Sequence, residues 1–222
     1  MSKISLEPNA SGAGTFSIVS PDSNTNRTLN LPDESGTIFS DGTGVPGSSV
    51  IGQLASSNMP AGSVIQVVST TKTNTFSASV GGRPSFSSVV SGLTATITPS
   101  LTSSKILVIV NVNGSSSASS GRFAFKLSRN DADVFIGDAN GARTRLTSGN
   151  VIGNFPSVWG VANVTSSFLD SPSTVSSLTY GIKLFNNNGS AETLYVNRPQ
   201  NFSDTDVYST NASSITVMEI AG

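Results

Sequence analysis

Two acidic pairs and one Asp/Asn pair are the side chains best suited to hold a cation or move a proton. Asp131 and Asp133 flank Ala132, Asp204 and Asp206 flank Thr205, and Asp138 stands two residues before Asn140, with Gly141 following. Carboxylates two apart on a loop can converge on Ca²⁺, which accepts an all-oxygen shell. Asp131-Ala132-Asp133 matches only the opening of an EF-hand-like loop, and the closing Glu at the required distance is missing. Asp and Asn also favour turns for backbone reasons. Turn chemistry is the preferred reading, and no metal site is assigned. A pair of carboxyl groups about 5 to 9 Å apart could hydrolyse a glycosidic bond, but spacing along a chain does not supply that distance.

Other chemistry is restricted by absent residue types. The chain has no His, so it holds neither a Ser-His-Asp triad nor an imidazole metal ligand. With no Cys there is no disulfide, thiolate zinc site or cysteine nucleophile. Gly42-Thr43-Gly44 lacks a following Gly-Lys-Ser/Thr and reads as linker, not as a phosphate loop. No catalytic residue or cofactor is therefore expected, and the chain is read as a protein other than an enzyme.

Binding chemistry has better candidates. Arg143 and Arg145, in Ala142-Arg143-Thr144-Arg145-Leu146, are the closest basic pair. They suit an anionic glycan or a neighbouring subunit, with a solvated face as the plainer alternative. Trp159, the only Trp, has apolar neighbours in Val158 and Val161 and is expected in the core or a subunit interface. Tyr195 and Tyr208 fall in late strand- or loop-like segments, and an exposed aromatic can stack on a sugar ring. Tyr208 has mostly polar surroundings and is expected to be the exposed one.

Composition limits the partners. The 222 residues are 36% hydrophobic and 11% charged, with a formal net charge of -1. Ser, Thr, Asn and Gly supply the polarity that ions usually supply. Such a chain has no basic field to recruit nucleic acid and no Lys/Arg cluster for an anionic membrane. The longest aliphatic run, residues 106–110, is far short of a spanning helix. The start Met1-Ser2-Lys3-Ile4 leads into polar sequence with no signal-peptide core, so synthesis in a cytoplasm is expected.

The elements that must position these residues read as strands. Phe123, Phe125 and Leu127 alternate with Arg122, Ala124, Lys126 and Ser128, the pattern of a half-buried strand. Leu178, Tyr180, Ile182 and Leu184 alternate in the same way, as do Leu93, Ala95 and Ile97, and Ile215 with Val217. Residues 106–112 start apolar on both faces and read as a central strand. Further strands are expected at 63–69, 73–79, 86–90, 157–168 and 193–196. Turns are expected at Gly81-Gly82, Asn113-Gly114, Asn140-Gly141 and Asn188-Gly189. Many short strands with such turns predict an all-β fold, an antiparallel β-sandwich or jelly roll, over residues 63–222.

Residues 1–62 differ. Gly and Pro recur there, and little continuous apolar sequence is present. Two cleanly alternating stretches, 15–19 with Phe16 and Ile18 and 27–31 with Leu29 and Leu31, suggest a small β-rich element that orders against a partner or copies of itself. A disordered leader is the alternative. Residues 42–49 read as a flexible joint.

Two groups of residues resemble known sequences. Gly14-Thr15-Phe16-Ser17-Ile18, Arg27-Thr28-Leu29-Asn30-Leu31-Pro32-Asp33 and Gly36-Thr37 resemble a short module of phage tail-fibre and other virion proteins. The second group is Gly62-Ser63-Val64-Ile65-Gln66-Val67-Val68, the stretch from Gly92 to Pro99, Ser104-Lys105-Ile106-Leu107-Val108 and the ending Ser214-Ile215-Thr216-Val217-Met218-Glu219-Ile220-Ala221-Gly222. It resembles the C-terminal domain of fibre-like proteins of marine phages, including cyanophages. The resemblance implies a homotrimeric virion appendage, docked on other virion proteins through residues 1–62. Its head would meet a host surface glycan or outer-membrane component, with Arg143, Arg145 and Tyr208 as receptor-binding candidates. Residues 115–173 match no known pattern.

Overall fold

In the computed structural model, residues 11–12, 24–26, 55–118, 122–150 and 159–222 are described. The chain divides into two units, Met1–Val50 and Ile51–Gly222. The strands expected at 15–19 and 27–31 and the joint at 42–49 lie outside the described residues. Among the described residues no helix is long and apolar enough to cross a membrane.

The second unit is an all-β fold of two antiparallel sheets. Its strands are β1 (Val64–Lys72), β2 (Phe76–Val80), β3 (Ser85–Ile97), β4 (Lys105–Ser116), β5 (Phe123–Arg129), β6 (Ala132–Val134), β7 (Ser148–Asn150), β8 (Ala162–Asp170), β9 (Leu178–Asn186), β10 (Glu192–Val196) and β11 (Ser213–Ile220). One sheet joins β1, β11, β4, β10 and β2 in that order, with β8 also on β4; the other joins β3, β9, β5 and β6, with β7 also on β5. The expected alternation holds at the core: Leu93, Ala95, Ile97, Leu178, Tyr180, Ile182, Leu184, Ile215 and Val217 are all buried. They meet Ile106, Val108, Val110 and Val112 of β4 in one cluster between the sheets. Each fully buried Leu, Ile or Phe contributes about 1.5–3 kcal/mol. β4 is central, as its apolar content indicates, with β11 and β8 both paired to it.

Three expectations at strand boundaries are corrected. Asn113-Gly114 is not a turn, because β4 runs on to Ser116. Gly114 instead makes room: a Cβ there would lie 2.1 Å from the Phe123 ring and 2.5 Å from the Tyr195 carbonyl oxygen. The strands expected separately at 86–90 and 93–98 form one irregular strand, β3, whose register shifts twice and whose Gly92 has φ +73°. The third correction concerns β5, which is buried on both faces along much of its length, Ala124 and Ser128 included.

Register shows why. β4 pairs with β11 up to Asn111↔Ser214 and then with β10 from Gly114↔Val196, so β10 and β11 lie end to end along β4, interrupted by residues 197–212. β5 pairs with β6 at Leu127↔Val134 and with β7 at Phe125↔Ser148, so β6 and β7 also lie end to end, interrupted by residues 135–147. Each interruption is an excursion out of one strand line. At each, a ladder N–H loses its backbone partner and a hydroxyl replaces it. Ser213 Oγ accepts from Asn113 N at 2.9 Å, and Thr147 Oγ1 accepts from Leu127 N at 2.8 Å. The same repair occurs in β3, where Ser87 Oγ accepts from Leu184 N at 2.9 Å. Buried backbone donors require such partners, and this gives part of the Ser/Thr-rich composition an interior role.

A polar clamp ties the sheets together. Asp170 of β8 accepts from Arg129 Nη1 of β5 and from the Tyr180 hydroxyl of β9, both at 2.7 Å. Burial and then the hydrogen bond to Asp170 push the Tyr180 phenol well above its usual range, so it remains a neutral donor.

Candidate functional site

The 135–147 excursion starts at Phe135, which stacks on Phe168 of β8 with ring centroids 4.6 Å apart. It returns along its own path through a Gly137 N to Leu146 O hydrogen bond of 3.1 Å. Its tip is the expected Asn140-Gly141 turn, with Gly141 at φ +59°. The return limb helps to line a cleft of about 230 Å³ together with Arg122, Ala124, Phe185 and Asn187. Ala124 and Phe185 alternate with core-facing Phe123 and Leu184, so this cleft lies on the face of the β3–β9–β5 sheet turned away from the core. The excursion therefore covers the face that alternation alone assigns to solvent.

Arg143 lines the cleft; Arg145 and Tyr208 do not. The basic pair is thus divided. Arg143 Nη1 donates to Asn140 Oδ1 at 2.8 Å and to the Asn140 carbonyl oxygen at 3.2 Å. Arg145 Nε donates to the Gly137 carbonyl oxygen and braces the excursion. Tyr208 sits in the other excursion and is half-buried rather than exposed; the neighbouring Val207 is the exposed residue. Trp159 is absent from the core, with its side chain 55% exposed.

The second cation of the cleft, Arg122, was not among the binding candidates. It is exposed and has no ion pair or hydrogen bond among the described residues. Its separation from Arg143 along the chain gives no proximity signal. Only the alternation of β5, which sets Arg122 and Ala124 on one face, points toward the cleft. Phe185 was hidden in the same way, as an apolar residue on the side of β9 opposite the core. It packs on Phe86 with centroids 5.1 Å apart.

The first acidic pair is divided between a turn and a strand, with Asp131 in the link and Asp133 in β6. Asn130 and Asp131 form the two-residue link between β5 and β6, with φ of 48° and 67°, values Asn and Asp tolerate better than most residues. Asp131 pairs with Lys183 at 2.8 Å, and Asp133 with Lys126 at 2.8 Å. Burial opposes ionisation of Asp133, but Lys126 and then Lys183 outweigh it and hold this carboxyl below the usual aspartate range. Asp138, Asp204 and Asp206 are exposed. Among the described residues no three His, Cys, Asp or Glu side chains are grouped so as to hold a metal ion.

No protein-family model matches the chain, and no curated protein matches it.

Proposed function

We propose that this chain is a structural fibre protein of a bacteriophage particle whose β-sandwich head attaches the particle to the host surface. The observation that carries the reading is the 135–147 excursion. A stiff two-sheet scaffold holds a loop across its outer face and leaves a basic cleft there, the arrangement of a binding module. Residues 1–62 dock on other virion proteins in this reading, and three copies associate. Weak contacts on each head, repeated over the particle, combine into firm attachment. The experiment is adsorption of phage in the presence of purified protein: competition for host cells supports attachment, and unimpeded adsorption at saturating protein counts against it. A light-scattering mass near three times 22.7 kDa is the expected oligomeric outcome.

A second reading, a capsid decoration or tail-assembly part with no receptor role, has its own observation. Across the outer face of the other sheet, register aligns Val67, Met218, Leu107 and Leu169 in one row. Val67 is 54% and Leu169 49% exposed. An apolar row of that kind suits packing against another virion subunit. Labelling the protein on intact particles separates the readings, because a capsid position without an adsorption defect selects the second.

A further inference from the structure

The cleft under the 135–147 excursion has a charge and shape that specify a ligand class. Lys126, Lys183 and Arg129 each face a carboxylate within 4 Å. The two arginines that line the cleft do not. Arg143 is held by the neutral side chain and backbone of Asn140, which orients it and leaves its charge uncompensated, and Arg122 has no charged partner among the described residues. Among the described residues no carboxylate lines the cleft. Phe185 and Leu146 supply apolar surface beside the two cations, while Thr144 and Asn187 add a hydroxyl and an amide. At about 230 Å³, below the roughly 300–1,000 Å³ usual for drug-sized ligands, the cleft suits a small ligand on the scale of a sugar ring.

We infer that this cleft binds a single carboxylate-bearing sugar, a uronic acid residue of an acidic glycan. The guanidinium groups take the carboxylate, since Arg presents a planar donor fork matched to it. The apolar surface meets a C–H face of the ring, and Thr144 and Asn187 reach its hydroxyls. A polyanion such as nucleic acid fits less well, because the chain has a formal net charge of -1 and the lysines on the same sheet face, Lys126 and Lys183, are paired with Asp133 and Asp131. The inference rests on the attachment reading and names the ligand class of its site.

The test titrates the full-length protein with glucuronate and galacturonate, against glucose, galactose and inorganic phosphate, with binding read from NMR shift changes. Saturable uronate binding is expected, weaker at high salt. Arg122→Gln and Arg143→Gln should each lower affinity about tenfold or more, the usual scale for a charge-assisted hydrogen bond. Lys105→Gln, which removes an exposed cation of the other sheet, should leave it unchanged. Equal binding of neutral sugars, phosphate binding as tight as uronate, an equal loss in Lys105→Gln, or no shift at saturating uronate each overturns the inference. Host-cell binding by the same proteins keeps the two levels apart. Wild-type protein that binds cells but not uronate refutes the ligand class alone, whereas wild-type protein that binds uronate but not cells refutes attachment.

Discussion

Residues 197–212 and 135–147 are the same topological device with opposite outcomes. Both interrupt a strand line, and both are sealed by a hydroxyl that accepts an orphaned ladder N–H. The 197–212 excursion spends its arginine internally. Arg198 lies over the rings of Tyr195 and Phe202, 4.5 and 4.6 Å from their centroids, and donates to the carbonyl oxygens of Pro199 and Gln200. The 135–147 excursion carries Arg143 to the edge of a cleft, with Asn140 as its only hydrogen-bond partner among the described residues. The difference lies in what each segment folds against. Arg198 is taken up by two aromatic rings, those of Tyr195 and Phe202, whereas Arg143 has apolar surface beside it and solvent beyond. An arginine's availability for a ligand is thus set by the loop's packing partners, not by the loop's length or composition.

The bases of the two excursions differ in how firmly they are built, and this sets the largest expected effect. Asn197, fully buried at φ +64°, donates through Nδ2 to the carbonyl oxygens of Lys72 and Asn74 and accepts from Ser213 Oγ. Asn197→Ala removes three hydrogen bonds and places a residue less tolerant of that conformation there. Urea unfolding should show a loss of about 3 kcal/mol, since each buried group left unpaired costs about 1–3 kcal/mol. A loss below 1 kcal/mol would mean that this base is no firmer than the other.

The strands flanking the same excursion each bury a glutamate, and the two should titrate in opposite senses. Glu219 accepts from Gln66, from the backbone and hydroxyl of Ser100, and from Ser104. Burial disfavours its charge, but these donors outweigh burial and hold its pKa below the ordinary 4.5. Its stabilisation is present above that value and is lost as pH falls through the folded pKa. Glu192 is raised by burial, against a single hydrogen bond from Ser116, and its Oε1 has no hydrogen-bond partner among the described residues. Its contribution is present below 4.5 and is lost as pH rises through the folded pKa. Glu219→Gln should cost about 2 kcal/mol at pH 7 and progressively less toward pH 3. Glu192→Gln should be neutral or stabilising at pH 7 and lose that advantage in acid. Unfolding curves across this pH range check both, and parallel behaviour would contradict the assigned environments.

A smaller effect is expected at the base of the 135–147 excursion. Thr147→Val keeps the shape and removes the acceptor for Leu127 N, so the loss should be about 1–2 kcal/mol. Amide exchange at Leu127 should accelerate in the same variant. Smallest of all is the bare face of the other sheet: Val67→Thr with Leu169→Thr should change chain stability by no more than about 0.5 kcal/mol. If that face joins copies of the chain, the light-scattering mass falls in the same variant while stability holds.

Much of the fold is legible in residue order. Alternation in 178–184, 93–97 and 215–217 places the core-facing side chains correctly, because a strand's side-chain period of two is a local property of the backbone. Asn140-Gly141 and Asn188-Gly189 are read as turns for a local reason too, since their residues tolerate the backbone a turn demands. Asn113-Gly114 carries the same letters and is strand, because the glycine answers a distant need, the space taken by the Phe123 ring.

The candidate site divides along the same line. Sequence by itself marked Arg143 as a possible binding cation and ruled out imidazole and thiolate chemistry, since residue types are local facts. Tertiary structure alone separated Arg145 from the cleft, buried half of Tyr208, brought Arg122 and Phe185 to Arg143, and covered the outward face of β5. Those outcomes depend on where residues 135–147 and 197–212 come to rest. That position is decided by contacts between segments far apart in the chain, and no period or spacing within either segment encodes it.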